Sequence, residues 1–361
     1  MDEFRPPWWL RNPHLQTFLG SRGDPEQVSA GTLVHRVPTF DDEAVALHED
    51  FNATIGQIEA PVVLLIHGLV GSHNSGYLVR IGKTLYQNGW RVFRLDMRGC
   101  GAGETWAHKP PHAGLTCDIA ASLAFIQQRC SPSWLATVGF SLGGNLVLKF
   151  LGELGRGEHG GLKDSLALHY AIAVGPPIDL SLAADMMERG SGRVYTAYFM
   201  RLLHEQLRRK LNLWPQWRAV SDKVGDAKRL RTIRQFDDAF TAPLGGFASA
   251  EEYYKLSSGK QFLDSIEVPC DLLVAQDDPI VPFASFQELR SGGGWLPKVH
   301  GQMVSSRYGG HLGFMQTEKS RQRSAINSPT KPRTITEQRW MDHWVCQRLF
   351  KAMQHNHQAE V

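Results

Sequence analysis

The chain has 361 residues, of which 42% are hydrophobic and 21% are charged, and its net charge is +3. These values are ordinary for a globular protein and fit one large α/β domain with an insertion. The charge is too small to indicate a nucleic-acid partner, and no apolar run approaches the roughly 18 residues of a membrane span.

The cysteines and the N-terminus indicate the compartment. The five cysteines form no Cys-x-x-Cys pair and are odd in number, which favours reduced thiols over a disulfide framework. The first eleven residues lack the apolar stretch of a signal peptide. We therefore expect a cytoplasmic protein.

The first predicted segment is an N-terminal arm. Residues 1–30 are rich in proline and tryptophan and show little periodicity, so we expect an arm rather than a folded unit. Trp8 and Trp9 are predicted to tie this arm to the body. Alternating residues at 32–37 and 44–49 then predict a β-hairpin.

From residue 62 onward, apolar strands alternate with helices. Strands are predicted at residues 62–66, 92–96, 135–139 and 166–174, and helices at residues 76–88, 116–128 and 142–155. Continuous apolar strands that alternate with helices indicate a mostly parallel sheet, here of eight strands, with helices on both faces.

The alternation stops at the Gly-Pro-Pro sequence of residues 175–177. The chain is then helical in character to about residue 258; later elements are predicted as a strand at 270–275, a last strand within 295–304, a polar loop at 320–333 and a terminal helix at 335–350. The predicted organisation is an arm (1–30), an α/β core (31–175 and 259–361) and a helical lid insertion (176–258).

Ser141 is the predicted nucleophile. It lies in a G-x-S-x-G sequence between a predicted strand and a predicted helix, which is the setting that this motif requires. Gly139 and Gly143 permit a turn sharp enough to expose the hydroxyl. A serine hydroxyl becomes a good nucleophile only when a base takes its proton, so partners are needed.

An acid and a histidine follow in a chain order known from catalytic triads, namely serine, acid and histidine. Asp277 and Asp278 come directly after the predicted strand 270–275. We prefer Asp278 as the acid because it lies four residues before Pro282, which is the usual offset in folds with this order of catalytic residues, and we expect Asp277 to stabilise the turn. His311 follows two glycines that permit a tight loop, so it is the predicted general base.

The negative oxygen of a tetrahedral intermediate needs two backbone N–H donors. Leu142 follows the nucleophile directly and is the first predicted donor. The second is Leu69, in the loop after the strand 62–66, where Gly68 lets the backbone turn its N–H inward. We expect His67 to brace this loop rather than to act as a base.

The sequence does not indicate a metal or a cofactor. The fifteen histidines include no His-Glu-x-x-His motif, and no cysteine–histidine cluster has ligand spacing. No phosphate-binding glycine motif follows the first parallel strand. We therefore predict no metal site and no cofactor.

The helical insertion offers an apolar face and a basic surface. Tyr195, Tyr198, Phe199 and Leu202 lie on one face of a predicted helix, and they either line an acyl pocket or simply pack on the body. Residues 181–235 contain twelve Lys or Arg against five Asp or Glu. That excess usually marks a solvated helix surface, and it would also favour weak peripheral association with an anionic membrane surface.

Motifs along nearly the whole chain carry a family resemblance. They are residues 11–17 (RNPHLQT), 67–69 (HGL), 98–101 (RGCG), 139–145 (GFSLGGN), 236–238 (FDD), 241–243 (TAP), 277–279 (DDP) and 310–314 (GHLGF). With these motifs the chain resembles the α/β-hydrolase superfamily and, within it, the YheT-like group of bacterial esterases. That group is related to eukaryotic abhydrolase-domain lipases and fungal ethyl-ester synthases.

The resemblance implies the α/β-hydrolase fold and hydrolysis of carboxylic esters through an acyl-enzyme. Short- to medium-chain esters or lipid esters are the expected substrates. Two alternatives remain open from the residues alone: acyl transfer to an alcohol, and a small-molecule binding protein on the same fold. The sequence does not indicate the oligomeric state.

Overall fold

A mostly parallel sheet forms the centre of the protein. The computed structural model describes residues 3–21, 27–51, 60–291, 301–317 and 339–359. Within these residues the strands are β1 (Leu33–Pro38), β2 (Ala44–Asp50), β3 (Val62–Ile66), β4 (Arg91–Asp96), β5 (Leu135–Phe140), β6 (Tyr170–Val174), β7 (Cys270–Ala275) and β8 (Met303–Ser306). Their order across the sheet is β1-β2-β4-β3-β5-β6-β7-β8.

The direction of the strands brings one set of strand ends together. β1 and β2 form an antiparallel hairpin, and β2 pairs antiparallel with β4. The remaining strands, β4, β3, β5, β6, β7 and β8 in their order across the sheet, all run parallel. The carboxyl ends of β3, β5, β6, β7 and β8 therefore lie at one edge of the sheet, where ligands bind in open parallel sheets. We call this the carboxyl edge.

Helices cover both faces of the sheet. The α-helices of the described residues are α1 (Pro13–Ser21), α2 (Gly76–Gln87), α3 (Thr116–Cys130), α4 (Leu142–Gly155), α5 (Leu162–Ser165), α6 (Leu180–Met187), α7 (Gly192–Leu213), α8 (Pro215–Val224), α9 (Ile233–Phe236), α10 (Ala242–Gly245), α11 (Ala250–Ser257), α12 (Ala284–Ser291) and α13 (Trp340–Ala359). Asp237–Thr241 forms one π-helical turn between α9 and α10.

The central strands are apolar throughout because both faces are buried. In β3, Val62 and Leu64 point to the core layer that contains α3 and α4, whereas Val63 and Leu65 point to the layer that contains α2 and α13. This separation follows from the two-residue period of a strand. The predicted fold class, a mostly parallel eight-stranded sheet between helical layers, is confirmed.

Several boundaries differ from the sequence predictions. The strand expected at 166–174 begins at Tyr170, since the residues before it form local hydrogen bonds around α5. The last strand of the described residues, β8, overlaps the predicted range of 295–304 and ends two residues beyond it. The predicted loop at 320–333 lies outside the described residues, and so does the first part of the predicted terminal helix.

The interpretation of the N-terminal arm needs the largest correction. The arm contains a folded helix, α1, and its tryptophans do not anchor it, because Trp8 is 79% exposed and Trp9 is 50% exposed. Phe4 and Leu10 are the buried apolar anchors instead. Tryptophan is large enough to suggest burial from sequence, but only the folded chain shows which side of the arm meets the body.

Candidate active site

Ser141 lies at the tip of a sharp turn between β5 and α4. Its φ of 52° and ψ of −120° are rare for a residue with a side chain, and its N–H donates to the Val174 carbonyl at 2.8 Å. A Cβ atom at Gly143 would lie 2.5 Å from the carbonyl oxygen of His67. Glycine at 143 thus allows the turn and the neighbouring loop to pack against each other.

Three side chains from separate segments meet at the carboxyl edge. His311 Nε2 lies 2.8 Å from Ser141 Oγ, and His311 Nδ1 lies 2.8 Å from Asp278 Oδ2. An ionised carboxylate can only accept a hydrogen bond, so the Asp278 contact requires the proton to be on Nδ1. Nε2 is then free to accept the serine hydroxyl proton. This is the geometry of a serine nucleophile with its base and orienting acid.

The two neighbouring aspartates have different contacts. Asp278 Oδ1 accepts hydrogen bonds from the N–H groups of Ile280 and Val281, which leaves Oδ2 for His311. Asp277 Oδ1 accepts from the Gly310 N–H at 2.9 Å, and burial raises the pKa of its carboxyl to about 6. Asp278 thus contacts the imidazole, and Asp277 holds the backbone next to it.

The loop after β3, which we call the oxyanion loop (residues 67–75), faces Ser141. The N–H groups of Leu69 and Leu142 have no acceptor within the part of the chain that the structure describes, and both residues line a cavity with Ser141. Val70 has a φ of 56°, which is strained for a β-branched residue. Both N–H groups are therefore available to a ligand, and their catalytic role stays a prediction.

His67 braces the oxyanion loop from inside. Its Nδ1 donates to the Gly68 carbonyl at 2.7 Å, and its Nε2 accepts from the Met97 N–H at 3.1 Å. The side chain is fully buried, and burial lowers its pKa, so the neutral ring is favoured. His67 therefore joins the ends of β3 and β4 as a structural group.

One cluster of possible metal ligands lies behind the same loop. His48, His73 and Asp96 are the only such group found among the described residues. The Asp96 carboxylate accepts from His48 Nε2, from His73 Nδ1, and from the N–H groups of His73 and Ala102. Burial alone would raise the pKa of Asp96, but the two histidines hold it below its usual range. Four donors thus occupy the carboxylate, which ties the oxyanion loop to β2 and β4.

Two cavities meet at Ser141. The inner pocket has a cavity volume of about 100 Å³ and extends under the helical insertion, where it is lined mainly by apolar side chains, among them Leu180, Met187, Leu203, Leu207, Trp217 and Ile233. The outer groove is wider, with a cavity volume of about 1160 Å³, and contains His311. Phe199 borders both cavities, so it stands at the junction between them.

The other predicted lid residues border the outer groove. Tyr195, Tyr198 and Leu202 line the groove but not the inner pocket. The Tyr195 hydroxyl lies 2.8 Å from His14 Nδ1, which connects α7 to α1 across the groove. Tyr198 is 52% exposed. Among the four, only Phe199 therefore contacts both the groove and the inner pocket.

The inner pocket is also lined by buried polar groups to which the sequence motifs gave no role. Asp237 accepts hydrogen bonds from the hydroxyls of Thr241 and Tyr254, both at 2.7 Å. Burial raises the pKa of its carboxyl to about 6, although these two hydrogen bonds oppose the effect. Asp237 begins the π-helical turn, a distortion that is frequent at functional sites.

The basic residues of the helical insertion are partly neutralised. Lys210 is fully buried and donates to the carbonyls of Glu104 and Ala107. Arg209 pairs with Glu104, and Arg234 pairs with acidic side chains of α6 and α11. The count from sequence therefore exceeds the charge that faces solvent, and membrane association stays a prediction. No helix of the described residues has the length and apolar character needed to cross a bilayer.

Sequence reasoning missed the contribution of the N-terminal arm. Thr17 contacts the backbone of His311, and Gln16 contacts the backbone of Met315. The signal was present in the motif at residues 11–17, which has no obvious chemistry of its own. Only the tertiary structure brings these residues to the histidine, 294 positions away from Thr17.

Known proteins share this sequence pattern and fold. The family described as alpha/beta hydrolase fold matches residues 61–317. The Escherichia coli protein named "Putative esterase YheT" is 32% identical over 313 residues, which cover 87% of each chain. A monoacylglycerol lipase of Saccharomyces cerevisiae is 29% identical over 275 residues, which cover 72% of this chain and 56% of the yeast protein.

Solved structures show the same fold at low sequence identity. The Pyrococcus furiosus esterase Pf2001 matches with a TM-score of 0.53 and 15% identity, over 84% of this chain and 91% of that one. At this identity the likeness concerns the fold alone.

Proposed function

We propose that this chain, which belongs to the alpha/beta hydrolase family, is a serine carboxylic-ester hydrolase that works through an acyl-enzyme. The observation that carries the proposal is the continuous hydrogen-bonded path from Ser141 Oγ through His311 to Asp278, with both distances at 2.8 Å. The hydrolase family and the esterase and lipase names of relatives support the reaction class.

In the first half of the reaction, Ser141 Oγ attacks the ester carbonyl carbon while His311 Nε2 takes its proton. Asp278 accepts the Nδ1 proton in a hydrogen bond and stabilises the imidazolium. The N–H groups of Leu69 and Leu142 bind the oxygen as it becomes negative. The C–O bond to the alcohol then breaks, His311 gives the alcohol its proton, and the acyl group stays on Ser141.

In the second half, water replaces the alcohol. His311 takes a proton from water, the resulting hydroxide attacks the acyl carbon, and the bond to Ser141 Oγ breaks as His311 returns the proton to it. The products are a carboxylic acid and free enzyme. If an alcohol enters in place of water, the same steps form a new ester, so product analysis distinguishes hydrolysis from acyl transfer.

The two cavities support a division of the substrate. An apolar inner pocket suits an acyl chain, since each fully desolvated methylene contributes about 0.8 kcal/mol. The wider outer groove contains His311 and opens towards solvent, so we assign the alcohol part to it. Short- to medium-chain esters or lipid esters fit this arrangement, and the helical insertion acts as the lid that selects among them.

The test combines an active-site probe with an ester panel. A fluorophosphonate should label wild-type protein and should not label Ser141→Ala. The p-nitrophenyl esters of acids from two to twelve carbons should then be hydrolysed by wild type, with acid and not a new ester as the product in water. Hydrolysis at an equal rate by Ser141→Ala would exclude this mechanism, and a wild type that is neither labelled by the probe nor active on any ester would favour a binding protein.

A further inference from the structure

The N-terminal arm contacts the segment that carries the proposed general base. We call residues 308–315 the histidine loop. Thr17 Oγ1 donates to the Pro13 carbonyl at 2.8 Å and accepts from the His311 N–H at 2.9 Å. Since the hydroxyl proton is already committed to Pro13, a lone pair of the oxygen is directed at the His311 backbone.

A second contact fixes the other end of the histidine loop. Gln16 is fully buried, and its side-chain amide accepts from the Met315 N–H at 2.6 Å and donates to the Met315 carbonyl at 3.0 Å. It also donates to the Leu10 carbonyl at 2.7 Å. One amide therefore replaces the pair of hydrogen bonds that a neighbouring strand would supply to Met315.

The backbones of the two segments pack without side chains between them. A Cβ atom at Gly20 would lie 2.6 Å from the Cα of Gly313. Leu312 and Phe314 have φ values of 58° and 43°, so this stretch of the loop is strained. A strained conformation persists only where its surroundings hold it. The start of α13 holds one side of this stretch, since the Trp340 N–H donates to the Phe314 carbonyl at 3.0 Å, and α1 packs against the other.

Two residues that precede α1 in the arm also contact the histidine loop or its neighbours. Phe4 is buried against the rings of Phe314 and Trp340, with ring centroids 5.4 and 5.5 Å apart. The Arg11 guanidinium lies 5.3 Å from the centre of the Tyr308 ring. These contacts reach the histidine loop from its first residues to its last ones.

We propose that α1 positions the general base, with Thr17 and Gln16 as positioning residues that hold His311 in line between Ser141 and Asp278. The inference rests on the proposed function for its kinetic consequence only. A displacement of a catalytic group by about 1 Å costs up to roughly a hundredfold in rate. The arm is therefore part of the catalytic apparatus although none of its bracing residues reacts.

The test is Thr17→Val, which keeps the shape of the side chain and removes its hydroxyl. We expect kcat to fall at least about tenfold with KM nearly unchanged, and the fluorophosphonate labelling rate to fall by the same factor. Thr17→Ser restores the hydroxyl and should recover most of both rates. Trp8→Ala, a change on the exposed side of the same arm, is the control and should leave both rates unchanged.

Histidine NMR provides a readout that does not depend on turnover. In ¹⁵N-histidine-labelled wild type, the Nδ1 proton of His311 should give a protected downfield signal, and Thr17→Val should broaden or remove it. Thr17→Ala, which removes the hydroxyl without placing a methyl group against the His311 N–H, serves as a second variant if Thr17→Val is too unstable to study, and it should cause the same losses. A Thr17→Val protein with lower stability but wild-type kcat, labelling rate and His311 signal would overturn the inference. If the probe does not label the wild type but Thr17→Val still loses the His311 signal, only the hydrolase proposal would be refuted.

Discussion

The carboxyl edge of the sheet and the helical insertion that faces it (residues 176–258) are built differently. At the carboxyl edge, polar groups from distant segments are fixed by hydrogen bonds of 2.8 Å, and the backbone at Ser141 and Val70 is strained. In the helical insertion, the side of the helices that faces the site is mainly apolar, and many charges pair at the surface.

The difference suggests a division of labour. A proton transfer requires donor and acceptor atoms at hydrogen-bond distance, so the carboxyl edge needs rigid positions. Selection of an acyl chain requires only apolar area and shape, which a set of helices supplies with more tolerance. Changes at the carboxyl edge should then affect turnover of every ester alike, and changes in the insertion should affect the choice of ester or the stability.

The largest effect is expected at the nucleophile. Ser141→Ala removes the attacking oxygen, and we expect kcat to fall by at least ~10⁴-fold for every ester, with the melting temperature nearly unchanged. Steady-state kinetics on a short-chain and a medium-chain p-nitrophenyl ester measure the two losses of kcat, and thermal unfolding measures the melting temperature. If the loss differed strongly between the two esters, the division between chemistry and selection would fail.

The next effect separates the two aspartates. Asp278→Asn removes the charge that holds and stabilises the imidazole, so we expect kcat/KM to fall by about 10³- to 10⁴-fold. Asp277→Asn keeps an oxygen that accepts from the Gly310 N–H, and we expect only a loss of a few-fold. The two variants are matched in chemistry and adjacent in sequence, so a reversed order of losses would assign the acid to Asp277.

A smaller effect is expected at the junction of the two cavities. Wild-type kcat/KM should rise from acetate towards medium-chain esters, by about a hundredfold for four added carbons that are fully buried. Phe199→Ala should flatten that rise, since Phe199 borders both cavities. Leu213→Ala, at the far end of α7, is the control. A fall from acetate upward, unchanged in Phe199→Ala, would mean that this face is packing and not a pocket wall.

The smallest expected effect on activity concerns Asp237. Its folded-state pKa is raised to about 6, so the charged form is disfavoured in the folded protein and stability decreases as pH rises from about 4 through 6. Asp237→Asn carries no charge. We expect it to be more stable than wild type at pH 8 by up to about 3 kcal/mol, with a difference that shrinks towards pH 4.

Urea unfolding at pH 8 and at pH 4.5 checks this prediction, together with the kcat of a medium-chain ester. An equal loss of stability at both pH values would mean that the hydrogen bonds from Thr241 and Tyr254 need both oxygens of the carboxyl group, whatever its charge. One buried carboxyl group, that of Asp278, is expected to be required for turnover, and the other, that of Asp237, is expected to lower stability at neutral pH.

Local patterns in the sequence were enough for the fold class and for the candidate nucleophile. Burial of both sheet faces makes β3 and β5 apolar throughout. A strand, a tight glycine-flanked turn and a helix can be recognised within about ten residues of sequence. The chain order of serine, acid and histidine then indicated the candidate partners of Ser141. Strand limits near α5 were less well predicted because local turns compete with strand pairing there.

The tertiary structure decided what depends on contacts between distant segments. Asp277 and Asp278 are equivalent by composition, and only the packed loops show that one meets His311 and the other meets Gly310. The fold of the arm was not visible in the sequence because its contacts are long-range, as those of Gln16 and Thr17 with a loop about 300 residues away show. Sequence patterns predict whether a residue is buried and which local element it forms, whereas hydrogen bonds between distant segments depend on how the whole chain packs.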